Sequence, residues 1–320
     1  LEKILHTYVK KFQFFPKSSI YDDDAKYRIS EFNRHQATLY FIVRTKKVSF
    51  LPKSFEIGRN YTIRGKVEVA GKSHAVAFDT ARMLHGQQLL KEKFKTVTEL
   101  TDYCMKQWGG PAAAGMSNDQ KYIEVSHVNV ENSTADKLAI RCALYHSISQ
   151  GRMPEMRIGI HQIINAFDVD CLQPLEILYI GKSNDDTWRR IYDHNKWGLL
   201  TEHVKQDDEF LVYFLEIDKS FLNHESIEGF SFIHRDESEL SIETATEATE
   251  AALINYFIKH KKFNKEFVDS DITKTDLISK KVKGAGYTGL LAEVGLDGVF
   301  GKVGTADVGF RDHHMVQYTF

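Results

Sequence analysis

Alternating and continuous runs of β-branched and aromatic residues mark the first part of the chain. They predict strands at residues 37–45 (ATLYFIVRT), 47–52 (KVSFLP), 61–69 (YTIRGKVEV) and 73–78 (SHAVAF), which together read as a small antiparallel β unit. The period then lengthens. Residues 81–94 and 97–109 space their apolar positions as helices do, and the second is closed by Gly109 and Gly110. Residues 133–151 read as another helix, with Ser133 or Thr134 as N-cap and Gly151 at its end. Beyond it, IGIHQIIN (158–165) and LEILYIGKS (175–183) read as two strands of an antiparallel hairpin whose loop contains Pro174. A helix starting at Asp185 carries Trp188, Ile191 and Tyr192 at helical offsets. A third strand over 209–217 and a long helix over 241–262, capped by Ser241, complete the order β-β-α-β-α.

The chain has 320 residues, enough for about two domains, and 42% of them are hydrophobic, so a packed core is expected. No apolar run approaches the roughly 18 residues a membrane-spanning helix needs, so no membrane partner is expected. Cys104, Cys142 and Cys171 are far apart with no C-x-x-C pair, which suits a reducing, cytoplasmic compartment. A net charge of −2 excludes a uniformly basic DNA-coating protein but hides a local asymmetry. Residues 1–72 hold 15 basic and 7 acidic side chains, whereas residues 206–250 hold 2 and 13. The basic quarter also carries Tyr8, Phe12, Phe14, Phe15, Tyr21, Tyr27, Phe32 and Tyr40, offering cations for phosphates and rings for stacking. Arg44, Lys46, Lys47 and Arg64 are the expected DNA-gripping set.

Four motifs in order resemble the GIY-YIG endonucleases. Gly159-Ile160-His161 stands where the G-I-Y strand belongs, and Tyr179-Ile180-Gly181-Lys182 matches the Y-I-G strand with its following basic residue. Arg189-Arg190-Ile191 with His194 is similar to R-R-[LI]-x-x-H, and EAALI from Glu250 to Ile254, followed by Phe263-Asn264, to the last motif helix and its ending. The resemblance covers about 110 residues and implies an α+β fold with a nuclease core at 152–270; outside it, the pattern and charge of the chain read as a basic β-rich DNA-holding domain at 1–80 and a helical connector at 81–151. A glycine-rich extension occupies 271–320. The resemblance also implies a DNA endonuclease, restriction-type or otherwise site-selective on duplex DNA, using Mg2+ or Mn2+. Cutting of palindromes would, by symmetry, favour a homodimer.

Each residue suits a step of phosphodiester hydrolysis. Glu250 can hold one hard divalent cation while water and phosphate fill its other positions. Arg190 offers a planar cation that matches phosphate geometry. It is preferred to Arg189, which points about 100° away on a helix, because Arg190 and His194 are four apart. Tyr179 and His194 can relay or accept the proton of the attacking water, Lys182 can lower a neighbouring phenol's pKa, and Asn264 can anchor the phosphate. His161, in place of the family tyrosine, would accept a proton nearer neutrality. Glu247, one turn before Glu250, is the alternative carboxylate. A catalytically degenerate DNA-binding or regulatory relative is the competing reading. Gly181-Lys182-Ser183 lacks the upstream glycine of a P-loop, and G-x-G-x-x-G at 284–289 comes after no hydrophobic strand.

Overall fold

The computed structural model describes residues 2–32, 37–57, 62–86, 88–108, 126–142, 146, 149–150, 152, 155–169, 171, 174–184, 186–227, 230–258 and 276–320. The chain divides into two compact units, one made of residues 1–46 and 173–320, the other of residues 47–172. The second is thus inserted into the sequence of the first.

The first unit begins with β1 (Glu2–Pro16), α1 (Asp23–Glu31) and β2 (Thr38–Lys46). The second holds β3 (Val48–Phe50), β4 (Glu56–Ile57), β5 (Ile63–Val69), β6 (Lys72–Phe78), α2 (Thr80–His85), α3 (Gln88–Lys93), α4 (Val97–Trp108), β7 (Ser126–Val128), β8 (Lys137–Cys142), β9 (Glu155–Gly159) and α5 (Ile160–Ala166). The first unit then resumes with β10 (Leu175–Ser183), α6 (Thr187–Tyr192), α7 (Trp197–Thr201), β11 (Asp208–Ile227), β12 (Phe230–Glu237), α8 (Ile242–Ile258), α9 (Asp276–Gly284), β13 (Gly289–Gly295), β14 (Val303–Gly304) and β15 (His313–Thr319). The fold is α+β.

The first unit is built on one mixed sheet in the order β14-β10-β2-β11-β1-β13-β15. Strand β11 is its spine: one edge pairs with β1 and the other with β2 and then β12. Leu39 to Val43 are all fully buried, because both faces of β2 are covered. On one face Tyr40, Ile42 and Tyr179 pack with Phe15 of β1, Ile29 of α1 and Ile191 of α6. On the other, Phe41 meets Phe257 of α8 edge-on. Helix α8 comes close because Ala245, Ala248, Ala251 and Ala252 are small and wholly buried. The second unit has a four-stranded sheet (β3 to β6) and a three-stranded sheet in the order β7-β8-β9.

Several elements differ from the sequence expectation. Residues 158–165 are not a strand: Gly159 ends β9, and the Gln162 side chain accepts its N–H at 3.0 Å, starting α5. Ile160, Ile163 and Ile164, all buried, then keep to helical spacing. The hairpin partner of Tyr179's strand is instead β2, antiparallel to β10. Within residues 133–151, Lys137–Cys142 form a strand between β7 and β9; buried Leu138 and Ile140 serve a sheet as well as they would a short helical run. Residues 1–80 are not one domain, since β1, α1 and β2 belong to the first unit's sheet and β3 to β6 to the second unit. Nor are residues 271–320 a mere extension: β13 pairs in parallel with β1, and β15 pairs with β13.

Tyr213 on β11 is fully buried, and its hydroxyl donates to the carbonyl of Phe300 at 2.8 Å. Tyr213→Phe keeps the ring and removes that donor. It should cost about 1–3 kcal/mol in urea unfolding, and an unchanged midpoint would mean the hydroxyl contributes nothing.

Candidate functional site

Strand β10 supplies the frame. Strand β14 pairs only with its Leu175 and Glu176, so among the described residues the stretch from Tyr179 to Ser183 pairs with β2 on one edge alone. The ladder shifts register between Ile177 and Tyr179, leaving Leu178 as an extra residue. Such a bulge re-aims the side chains next to it, and here both Leu178 and Tyr179 belong to one buried cluster. Gly181 lies opposite Tyr40 of β2. A Cβ on Gly181 would come within 2.5 Å of the Tyr40 hydroxyl and 2.7 Å of the Tyr179 ring. The missing side chain is what lets the two phenols stack, with ring centroids 6.0 Å apart and planes at 23°.

Helix α6 and the turn after it bring in two basic residues. His194, buried, stands edge-on to Tyr179 and Tyr40, at 4.8 and 5.8 Å between ring centroids. Its Nδ1 accepts the Lys196 N–H at 3.2 Å, which leaves Nε2 to carry the proton and donate to the Tyr40 hydroxyl at 3.1 Å. Burial, with Arg190 and Lys196 nearby, lowers the His194 pKa to about 4, so the ring is neutral at pH 7. The Arg190 guanidinium acts electrostatically on the same Tyr40 hydroxyl. Burial pushes the Tyr40 phenol well above its ordinary pKa and Tyr179 adds to this, while Arg190 opposes it. Arg189, by contrast, is exposed and 3.9 Å from Asp193.

Helix α8 contributes carboxylates. Arg190 is held charged chiefly by Tyr40, with Tyr179 and Glu250 adding to that. Glu250 is buried on α8, the helix against the opposite sheet face from α6. Arg190 and Glu250 therefore influence each other from opposite faces of β10. One turn earlier, Glu247 accepts from Lys182 at 2.7 Å and from Lys281 of α9 at 3.0 Å. Burial raises the Glu247 pKa, but these two lysines outweigh it and hold the carboxyl below its usual range. An open groove of about 540 Å³ runs along this end of β10, lined by Lys182, Asn184, Arg189, Arg190 and Asp193 among others.

The structure thus gathers Tyr179, Arg190 and His194 around Tyr40, with Glu250 and Lys182 alongside. His161 is not on the strand beside Tyr179; it lies in α5 of the second unit. Asn264 lies outside the described residues. Of the basic set, Arg44 pairs with Glu176 and Lys46 with Asp208, while Lys47 and Arg64 are exposed in the second unit. Sequence reasoning counted Tyr40 only among the rings of the basic quarter and did not place it with Tyr179. Its strand was legible, but nothing local ties it to a partner strand that begins at Leu175. Among the described residues no group of three or more His, Cys, Asp or Glu side chains is arranged to hold a metal, and no helix is long and apolar enough to cross a membrane. Comparison of the chain finds no matching family model, curated protein or solved structure.

His194 has an unfolded pKa near 6.5 and a folded one of about 4, so its neutral form stabilises the fold above pH 6.5 and that stability is lost as pH falls toward 4. Between those limits wild type should lose up to about 3 kcal/mol relative to His194→Gln. Unfolding of both at pH 7 and pH 5 checks this, and parallel losses would refute it. Gly181→Ala should cost about 1–3 kcal/mol by overpacking and disturb near-ultraviolet tyrosine signals.

Proposed function

We propose that the first unit is a metal-dependent endonuclease of GIY-YIG type, hydrolysing phosphodiester bonds in DNA, with Tyr40 supplying the tyrosine that the motif order sought at His161. One observation carries the reading. Tyr179, Arg190, His194 and Glu250, drawn from three separate motifs, gather at one end of β10 with Tyr40 among them. Restriction-type or other site-selective cleavage of duplex DNA, a homodimer for palindromic sites and a cytoplasmic location belong to the same proposal.

Arg190 meets the groove where a phosphate would lie, and its guanidinium stabilises negative charge on the phosphoryl oxygens as the bond breaks. Tyr40 is fully buried, accepts from His194 and directs its own O–H toward Tyr179, so it positions Tyr179, the phenol that can exchange a proton with the attacking water. Neutral His194 acts as a donor that orients Tyr40, since its other nitrogen is occupied by the Lys196 N–H. Lys182, tethered to Glu247, places a second cation beside the groove.

A single buried carboxylate fits a hard divalent cation that keeps water and phosphate as most of its ligands, as Mg2+ or Mn2+ does. Glu250 is the residue that would hold it. When bound, the ion supplies positive charge to the reacting phosphate and acidifies coordinated water.

Incubation of supercoiled plasmid with Mg2+ and with EDTA tests the proposal. Wild type should nick or linearise DNA only with the metal, Glu250→Gln should bind without cutting, and Arg190→Ala should lose on the order of 10²-fold in rate, well beyond Arg189→Ala. Binding without cleavage by wild type would instead identify a non-cleaving DNA-binding or regulatory protein.

The proton path gives a separate expectation. Tyr40→Phe should lose on the order of 10²-fold or more in rate, whereas His161→Phe should keep full activity. Because His194 is neutral above about pH 4, the rate should show no inflection near pH 6.5. An inflection there that disappears in His161→Phe would return His161 to the site.

A further inference from the structure

Near the groove, α6 carries Trp188, half-buried against the core cluster, and Tyr192, which the proposed chemistry does not use. Tyr21, just before α1, is 52% exposed and Tyr192, at the end of α6, is 45% exposed. They meet edge-to-face with centroids 5.3 Å apart, and Trp188 tilts against Tyr192 at 4.8 Å. The group is held in place: the Trp188 indole N–H donates to the Ile20 carbonyl at 3.0 Å, and the Lys26 ammonium lies 4.4 Å over the Trp188 ring. Half-exposed aromatic side chains fixed by tertiary contacts have a pre-organised apolar surface and little further ordering entropy to lose on binding.

We propose that Tyr21, Trp188 and Tyr192 form a stacking platform for an unpaired base of the nucleic acid whose scissile phosphate lies at Arg190. The inference rests on the endonuclease reading and narrows its substrate class to DNA with an unpaired nucleotide beside the cleavage point. Trp188 and Tyr192 are four residues apart and share a face of α6, while Arg190, two residues from each, projects from the other side. The two sites are thus separated by about one helix diameter, ~10–12 Å. A strand bound along the groove can cross that span.

Charge distinguishes which part of a nucleotide the rings receive. Asp22, Asp23 and Asp24 come directly after Tyr21, and Asp193 directly after Tyr192. Those carboxylates repel a phosphate and leave a neutral base unaffected, while Lys26 supplies a cation on the ring side. Phosphate is favoured instead at Arg190 and Arg189. Within a continuous duplex each base face is covered by its neighbours, so a base that reaches the platform comes from a single strand, a bulge or an extruded nucleotide.

The test measures binding by the full-length Glu250→Gln protein, which is not expected to cleave, to three oligonucleotides: a paired duplex, the same duplex with a one-nucleotide bulge, and a single strand. The unpaired position carries 2-aminopurine. Binding should quench its fluorescence, and the bulged duplex should bind more tightly than the paired one. Tyr21→Ala with Tyr192→Ala should weaken bulge binding roughly ten-fold or more, abolish quenching and leave the paired duplex unchanged. Tyr21→Phe with Tyr192→Phe, which keeps the rings, should retain both effects. Equal affinity for paired and bulged DNA, or an unchanged alanine variant, overturns the platform while leaving the endonuclease reading intact. Failure to bind any of the three overturns both.

Discussion

The close approach of Tyr40 to Gly181 is the constraint on which the candidate site depends. A glycine there lets a phenol from the neighbouring strand lie across the backbone, and that phenol then accepts from His194 within the field of Arg190. The register that sets Gly181 opposite Tyr40 is in turn fixed by burial. A one-residue slip of β2 would expose Leu39, Phe41 and Val43 to the face that now holds Tyr40 and Ile42. Packing of two ordinary apolar faces therefore determines the geometry of a polar cluster.

That register survives a large interruption. The second unit occupies residues 47–172, between the two strands that form the ladder. Closing a longer loop is entropically inexpensive, about 0.6 kcal/mol for each doubling of length. An inserted unit with its own sheets and buried core also reduces the freedom of the intervening chain. One end of the ladder is tied by charge through Arg44 with Glu176, and at the same end of β2 Lys46 with Asp208 joins it to β11. Two of the cations expected to grip DNA thus serve, in this structure, to join strands of the first unit.

The same insertion explains what the sequence disclosed. Local patterns were sufficient for β2, β5, β6, β10 and α8, each a long apolar run or a capped helix. The Tyr-Ile-Gly strand, Arg190, His194 and Glu250, which the structure brings close together, could be singled out because each sits in a motif only a few residues long. Tyr40 could not, because strand pairing across an inserted unit leaves no trace in spacing. Gly-Ile-His at 159–161 filled the vacancy by proximity to Tyr179, although Ile160, Ile163 and Ile164 already carried the helical period. Strands β1, β13 and β15 were missed for a related reason. Mixed polar and aromatic residues in β1, and glycines around β13, disguise strands whose stability comes from remote partners.

The parallel pairing of β1 with β13 has a consequence for biosynthesis. During translation β1 emerges before both of its partners and β11 can cover one of its edges, but Ile4 to Tyr8 obtain their other partner only when Gly289 to Glu293 have been made. Until then that edge presents unpaired amides and carbonyls, a template that another nascent chain can occupy. Strand β13 thus acts as a built-in guard against aggregation, and the time the ribosome takes to travel from β1 to β13 sets how long the nascent sheet remains vulnerable.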